Sequence, residues 1–295
     1  MKKSSDPMLV RFAREYGWRA YAIPVLAVIT VWILVDVFFG GPVTHNSDPA
    51  GQANSTAGQT AEQGARSAGP QPAAQEQLRL PTGELPPGGA FTAKGDGTFR
   101  VVGSPGPKVG QGQEKVFNYV IEIENGVNTA LYGGDDAVAA MVDATLNNPK
   151  GWTVDPKFAF QHVAPDQNPE YRIQLTSLDT THEHCGHDLA METSCFTPVG
   201  NRVILNESRW VRGATTAQGD LGLYRQYLIN HEVGHGLGFA AHQACGEGGA
   251  LAPIMMQQTL SLNNSELFRI DPNEVYQDDN KTCSFNPWPY PYGRL

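Results

Sequence analysis

The chain has 295 residues, with 21 Lys and Arg against 30 Asp and Glu, a formal net charge of −9 and four cysteines. Residues 1–19 carry Lys2, Lys3, Arg11, Arg14 and Arg19 against Asp6 and Glu15, and subtracting that +3 from the total leaves −12 for residues 20–295. An acidic body of this kind argues against nucleic acid as a partner.

The apolar content is uneven. From Ala20 to Phe39 the sequence AYAIPVLAVITVWILVDVFF is almost wholly apolar, about the twenty residues that a helix needs to cross a bilayer. Residues 20–40 are therefore expected to be a transmembrane signal-anchor. Basic residues precede it and none follows closely, so residues 1–19 are expected in the cytoplasm and the remainder outside the cell membrane. A cleaved signal peptide is the competing reading, and it too exports the rest. Residues 41–88 are rich in Gly, Pro, Ala, Gln and Ser, with only Val43, Leu78, Leu80 and Leu85 as sizeable apolar side chains. Too little surface can be buried there to offset the ordering entropy, so a disordered stalk with an end-to-end distance of roughly 40 Å is expected.

Residues 89–295 are left for the extracytoplasmic domain, with folded structure starting near Phe91. Phe91 to Val102, with turn residues at Gly95 to Gly97, predicts a hairpin. Phe117 to Glu124 alternates, with Phe117, Tyr119, Ile121 and Ile123 on one face and Asn118, Glu122 and Glu124 on the other, as in a half-buried strand. Asp135 and Asp136 open a helix striped by Val138, Met141, Val142 and Leu146, and Asn147, Asn148 and Pro149 stop it. Phe158 to Val163, Tyr171 to Ser177 and Arg202 to Asn206 are further strands. A helix then begins at the N-cap Asp220. The order predicts an α/β or α+β sheet with that last helix laid on one face.

The last helix carries the chemistry. HEVGHGLGFAAH, from His231 to His242, contains H-E-x-x-H, in which residues four apart share a helix face. His231 and His235 are thus candidate zinc ligands and Glu232, about a quarter turn away, a candidate general base. Tyr224, Tyr227, Leu228, His231 and His235 form one stripe, so the histidines project from the buried face. Gly238 can end the helix in a left-handed C-cap and turn the chain back, carrying His242 to the metal as third ligand. A site with two histidines plus an acid, Glu266, Asp271 or Glu274, is the alternative, and histidines that merely pack are the plain one.

The four cysteines lie in the exported part, where an even count favours disulfides. Four allow three pairings; Cys185 with Cys195 would close a short loop and Cys245 with Cys283 would tie the tail beneath the metal helix. A second cluster, HEHCGHD, holds His182, His184, Cys185, His187 and Asp188 and is expected to be a solvated loop beside a disulfide, with a second metal site as its rival.

A histidine helix broken at a glycine, a third histidine soon after and the stretch APIMMQQT at 252–259 resemble the metzincin class of zinc peptidases. More closely, NPKGW at 148–152, VILNESRW at 203–210, DLGLYRQYLINHEVGHGLG at 220–238, APIMMQQT and CSFNPWPYP at 283–291 resemble an actinobacterial family of exported or membrane-anchored zincin-like proteins, known only as a domain of unknown function. The resemblance implies an α+β fold: a twisted mixed sheet, an active-site helix packed on it and a small irregular C-terminal subdomain holding a methionine turn at Met255. It also implies Zn2+ on His231, His235 and His242, with Glu232 as base. The metzincin spacing puts the third histidine at Ala241, one residue of about 3.5 Å before His242. The function expected is a membrane-anchored zinc metallopeptidase acting on peptides or proteins of the cell envelope. A non-catalytic zinc-containing scaffold of the envelope and a cell-wall amidase are the alternatives.

Overall fold

The computed structural model describes residues 80–186 and 191–293, together with Val28, Thr30 and Val31. The chain divides into two units, Met1–Gln71 and Pro72–Leu295. In the first, Val28, Thr30 and Val31 are helical and exposed. The rest of the expected span at 20–40, the lead-in at 1–19 and the stalk as far as residue 79 lie outside the described residues. No helix among the described residues is long and apolar enough to cross a membrane.

In the second unit the expected stalk gives way before residue 88. The carbonyls of Gly83 and Gly89 accept hydrogen bonds from Arg209 Nη2 and Arg212 Nε at 2.6 and 2.9 Å. By Gly83 the chain is already fastened to the folded body.

That body is built on seven strands: β1 (Phe99–Val102), β2 (Val109–Gly110), β3 (Lys115–Glu124), β4 (Phe158–His162), β5 (Tyr171–Thr176), β6 (Cys195–Thr197) and β7 (Arg202–Asn206). They run in the order β2-β4-β3-β5-β7-β6, with β1 also pairing β3. The β3–β4, β3–β5 and β5–β7 pairs are parallel; β1–β3, β2–β4 and β6–β7 are antiparallel. The five α-helices are α1 (Asp135–Leu146), α2 (Leu178–Cys185), α3 (Glu207–Arg212), α4 (Leu221–Gly236) and α5 (Asn264–Ile270). This is a mixed α/β fold. The four longer strands and the helices α1 and α4 stand where the periodicity predicts them. Strands β2 and β6, at two and three residues, are too short for alternation to reveal.

Phe117, Tyr119, Ile121 and Ile123 of β3 share one core with Val138, Val142 and Leu146 of α1 and with Tyr224, Tyr227 and Leu228 of α4. Full burial of each large apolar side chain contributes about 1.5–3 kcal/mol, which is what fixes α4 against the sheet. The half-buried reading of β3 needs correction on its polar face, because Glu122 and Glu124 are buried as well. Glu122 pairs with Arg172 and accepts from Gln174 Nε2 at 2.7 Å. Glu124 accepts from Ser177 N–H at 2.7 Å, from Thr180 Oγ1 at 2.7 Å and from Gly97 N–H at 3.0 Å. A buried carboxylate is tolerable when its acceptor capacity is filled in this way.

The same contacts overturn the expected hairpin at 91–102. Only Phe99–Val102 is strand, paired with β3. The preceding residues form a strap: Gly95 lies against the Glu124 side chain, and the carbonyls of Thr92 and Ala93 accept from Leu178 N–H and Asp179 N–H at 3.1 and 2.9 Å. Those donors are the first, otherwise unpaired, amides of α2. The expected solvated loop at HEHCGHD is therefore helical up to Cys185, since a distant segment satisfies its N-terminus; His187 and Asp188 lie outside the described residues.

Beyond α4 the chain is mostly irregular. A second, smaller core of Cys245, Ala252, Met256, Leu260, Leu267, Tyr276 and Cys283 holds it together. Two disulfides join Cys185 to Cys195 and Cys245 to Cys283, the pairings expected.

The buried carboxylate of Glu124 yields a stability prediction. Glu124→Ala leaves two buried donors, Ser177 N–H and Thr180 Oγ1, without an acceptor and frees Gly97 N–H, and urea unfolding should show a loss of about 3–5 kcal/mol. Glu114→Ala removes an exposed pair with Lys157 and should change stability by less than about 0.5 kcal/mol. Equal losses in the two variants would contradict the role given to Glu124.

Candidate metal centre

Helix α4 starts as expected: Asp220 caps it, its Oδ1 accepting from Leu223 N–H at 2.9 Å. Tyr224, Tyr227, Leu228 and His231 are all buried along one stripe. The helix is bolted to the segment 254–259 by its tyrosines. Tyr227 Oη donates to Met256 O at 2.9 Å and accepts from Gln258 N–H at 2.9 Å, and Tyr224 Oη lies 3.1 Å from Thr259 Oγ1.

Two glycines at the end of this helix, where glycine costs about 1 kcal/mol relative to alanine, have structural reasons. A Cβ on Gly234 would stand 2.5 Å from Met255 Sδ and 2.8 Å from Trp152 Cζ2, so only glycine lets the turn carrying Met255 press against the helix. Gly238 has φ +102°, and around it Gly238 N–H bonds to His235 O while Phe239 N–H bonds to Gly234 O. These two bonds are the Schellman pattern that closes a helix end. Ala240 N–H then donates back to Gly238 O at 2.9 Å. That tight turn takes up the extra residue before His242.

The three histidines come together. Ring centroids are 4.9 Å apart for His231 and His235, 5.5 Å for His231 and His242, and 5.3 Å for His235 and His242. One nitrogen from each lies within 4.8 Å of the other two, and this is the metal-capable group found among the described residues. Tetrahedral coordination at about 2.1 Å would bring those nitrogens to about 3.4 Å from one another, so each ring needs to close by less than about 1 Å.

Every ring has an oxygen partner at Nδ1. His231 Nδ1 is 2.8 Å from Ile254 O, His235 Nδ1 is 2.9 Å from Phe239 O, and His242 Nδ1 is 3.2 Å from Glu274 Oε1. An Nδ1–H directed at oxygen leaves the Nε2 lone pair for a metal, the usual outer-shell arrangement. His231 Nε2 is buried and has no hydrogen-bond partner. Such an orphan is costly unless something binds it, so the residues present fit a metal ion. Burial, and after it His235 and His242, pushes the His231 imidazole well below its ordinary pKa, and burial followed by His242 lowers that of His235. Neutral rings, the form that ligates, are favoured.

Glu232, next to His231 in the helix, is buried, and burial alone pushes its carboxyl up to about 8. A cation bound alongside would oppose that shift. The acids offered as alternative ligands are elsewhere or one layer out: Glu266 accepts from Ser261 Oγ at 2.5 Å, Asp271 from Asn273 N–H at 2.9 Å, and Glu274 holds His242. In the second cluster, His182 Nε2 is 3.0 Å from Glu192 Oε2 and His184 Nε2 is 3.3 Å from Arg202 Nη1, and neither joins a metal-capable group among the described residues. The orienting groups Ile254 O and Phe239 O left no sequence signal, being backbone atoms, whereas Glu274, named from the sequence as a possible ligand, is instead the partner of the His242 ring 32 residues away.

The close approach at Gly234 can be tested without any metal. Gly234→Ala gains about 1 kcal/mol of helix propensity but overpacks Met255 and Trp152 by about 2–3 kcal/mol. A fall of roughly 2–8 °C in the unfolding midpoint is expected by calorimetry; a rise would show that the turn does not press on the helix.

No curated protein and no solved structure matches this chain. A family model does, over residues 85–291, a stretch that includes all three histidines, Glu232, Met255 and both disulfides. Matching well over half of its length, the chain belongs to the family described as "Protein of unknown function (DUF3152)".

Proposed function

We propose that the chain is a membrane-tethered, extracytoplasmic zinc metallopeptidase with a metzincin-like arrangement of its active site. The observation that carries this reading is the convergence of His231, His235 and His242, each with Nδ1 engaged by oxygen, around the orphaned Nε2 of His231, with the buried acid Glu232 next to His231 in the helix. Three neutral imidazoles and no fourth protein donor among the described residues would suit a catalytic zinc, whereas a structural zinc takes four protein ligands. This favours the peptidase over the scaffold reading. Met255, pressed on Gly234 one residue before His235, supports the reading of this turn as a methionine turn.

When bound, zinc supplies Lewis acidity towards a peptide carbonyl and lowers the pKa of water to about 7. Glu232 takes a proton from the attacking water at its carboxylate oxygen and then gives it to the leaving amine nitrogen. The low polarity that surrounds Glu232 favours the protonated carboxyl it must become midway. Strand β6 ends the sheet path next to β7 and packs on α4, so an extended substrate adds to the side of β6 that is unpaired among the described residues, not to β7, which is paired on both sides. Export is supported by the two disulfides, which persist in oxidising compartments, and the tether by the apolar run at 20–40.

The decisive comparison is between full-length wild type, His242→Ala and Glu232→Gln. Wild type should hold one zinc per chain and cleave members of a peptide library. His242→Ala should lose the zinc, and Glu232→Gln should keep it while losing about 10²–10⁴-fold in cleavage rate. Zinc-loaded wild type that cleaves nothing would favour the scaffold.

A further inference from the structure

Next to the histidine cluster is a cleft of about 280 Å³, with His242 in its wall. Small-molecule pockets run from about 300 to 1,000 Å³, so this one suits a single long side chain. Its floor is aliphatic, formed by Met191, Leu260, Leu267 and Ile270. Its wall is anionic. Asp271 and Glu274 both line it, and none of the described lining residues is Lys or Arg.

Two helices also end there. The last turn of α2 contributes His182 and Cys185, with the C-cap Gly186, and α5 contributes Ile270 with its C-cap Asp271. Helix C-termini carry the negative end of the backbone dipole, which adds to the two carboxylates. Each carboxylate still has acceptor capacity: Asp271 Oδ1 takes the N–H and side-chain amide of Asn273, and Glu274 Oε1 faces His242. An apolar occupant would strip water from these oxygens and give nothing back, and an acidic one would be repelled. A cationic head on a long aliphatic stem answers both the floor and the wall.

We propose that this cleft is the specificity pocket of the enzyme and takes the lysine or arginine side chain of a polypeptide, next to the bond that is cut. The proposal rests on the peptidase reading for the word specificity, but the pocket's preference for a basic side chain can be measured apart from it.

The test uses full-length, zinc-loaded Glu232→Gln protein and pentapeptides that differ only at one position, lysine against norleucine, which keeps the stem and removes the charge. Calorimetry should give at least tenfold tighter binding of the lysine peptide. Asp271→Asn in the same background should cut that advantage at least threefold, with zinc content unchanged as the check on folding. Equal binding, or a preference for norleucine, overturns the pocket. In the wild-type library, Lys or Arg should be enriched at least tenfold over Asp and Glu at one position flanking the cut. Cleavage without that enrichment overturns the pocket and leaves the peptidase standing. Tighter lysine binding with no cleavage of any peptide supports the pocket and sinks the peptidase.

Discussion

The site depends on the docking of one turn against one helix. Between Ile254 and Met256, three consecutive residues each set a part of it: Ile254 O orients His231, Met255 O takes Gln243 N–H at 3.0 Å directly after His242, and Met256 O takes the Tyr227 hydroxyl. The turn reaches the helix only because Gly234 has no Cβ. Each buried polar group involved would cost about 1–3 kcal/mol unpaired, so the turn and the helix specify each other's position. The geometry of the three histidines is thus a consequence of packing between two segments some twenty residues apart, not of the helix alone.

Buried charge organises the surroundings. Glu124 ties the strap at 92–97 to the start of α2. Arg209, fully buried, donates to Glu192 O at 2.7 Å, Gly213 O at 3.1 Å and Gly83 O at 2.6 Å. These bonds fasten the segment at Gly83 to the one that passes Met191 and leads into β6. Both the floor of the cleft and the proposed substrate edge therefore rest on a guanidinium whose planar fork matches three carbonyls, a geometry that lysine could not reproduce.

The polar residues of β3 show how periodicity can mislead. Alternation placed Glu122 and Glu124 on a solvent face because charged side chains are almost never buried without partners. Their partners, Arg172, Gln174, Ser177 and Thr180, lie some fifty residues along the chain and are brought in by parallel pairing with β5 and by α2. The same holds for the helix at Leu178–Cys185. Its composition reads as a polar loop, and its first amides are satisfied only when the strap from Thr92 arrives.

Local pattern alone was enough for the capped helix from Asp220, the i, i+4 histidines with Glu232 between them, the left-handed exit at Gly238 and the four longer strands, because each follows from spacing within a few turns or one strand. The pairing of the cysteines, with three possibilities open, was narrowed by loop length and decided by the fold. Whether His242 could absorb one extra residue, which acid stood behind it, what orients the rings, and the edge strand and cleft beside them were decided only by tertiary structure. Those features are made by carbonyls and side chains from distant segments meeting at one point, and no periodicity in a linear chain encodes that distance.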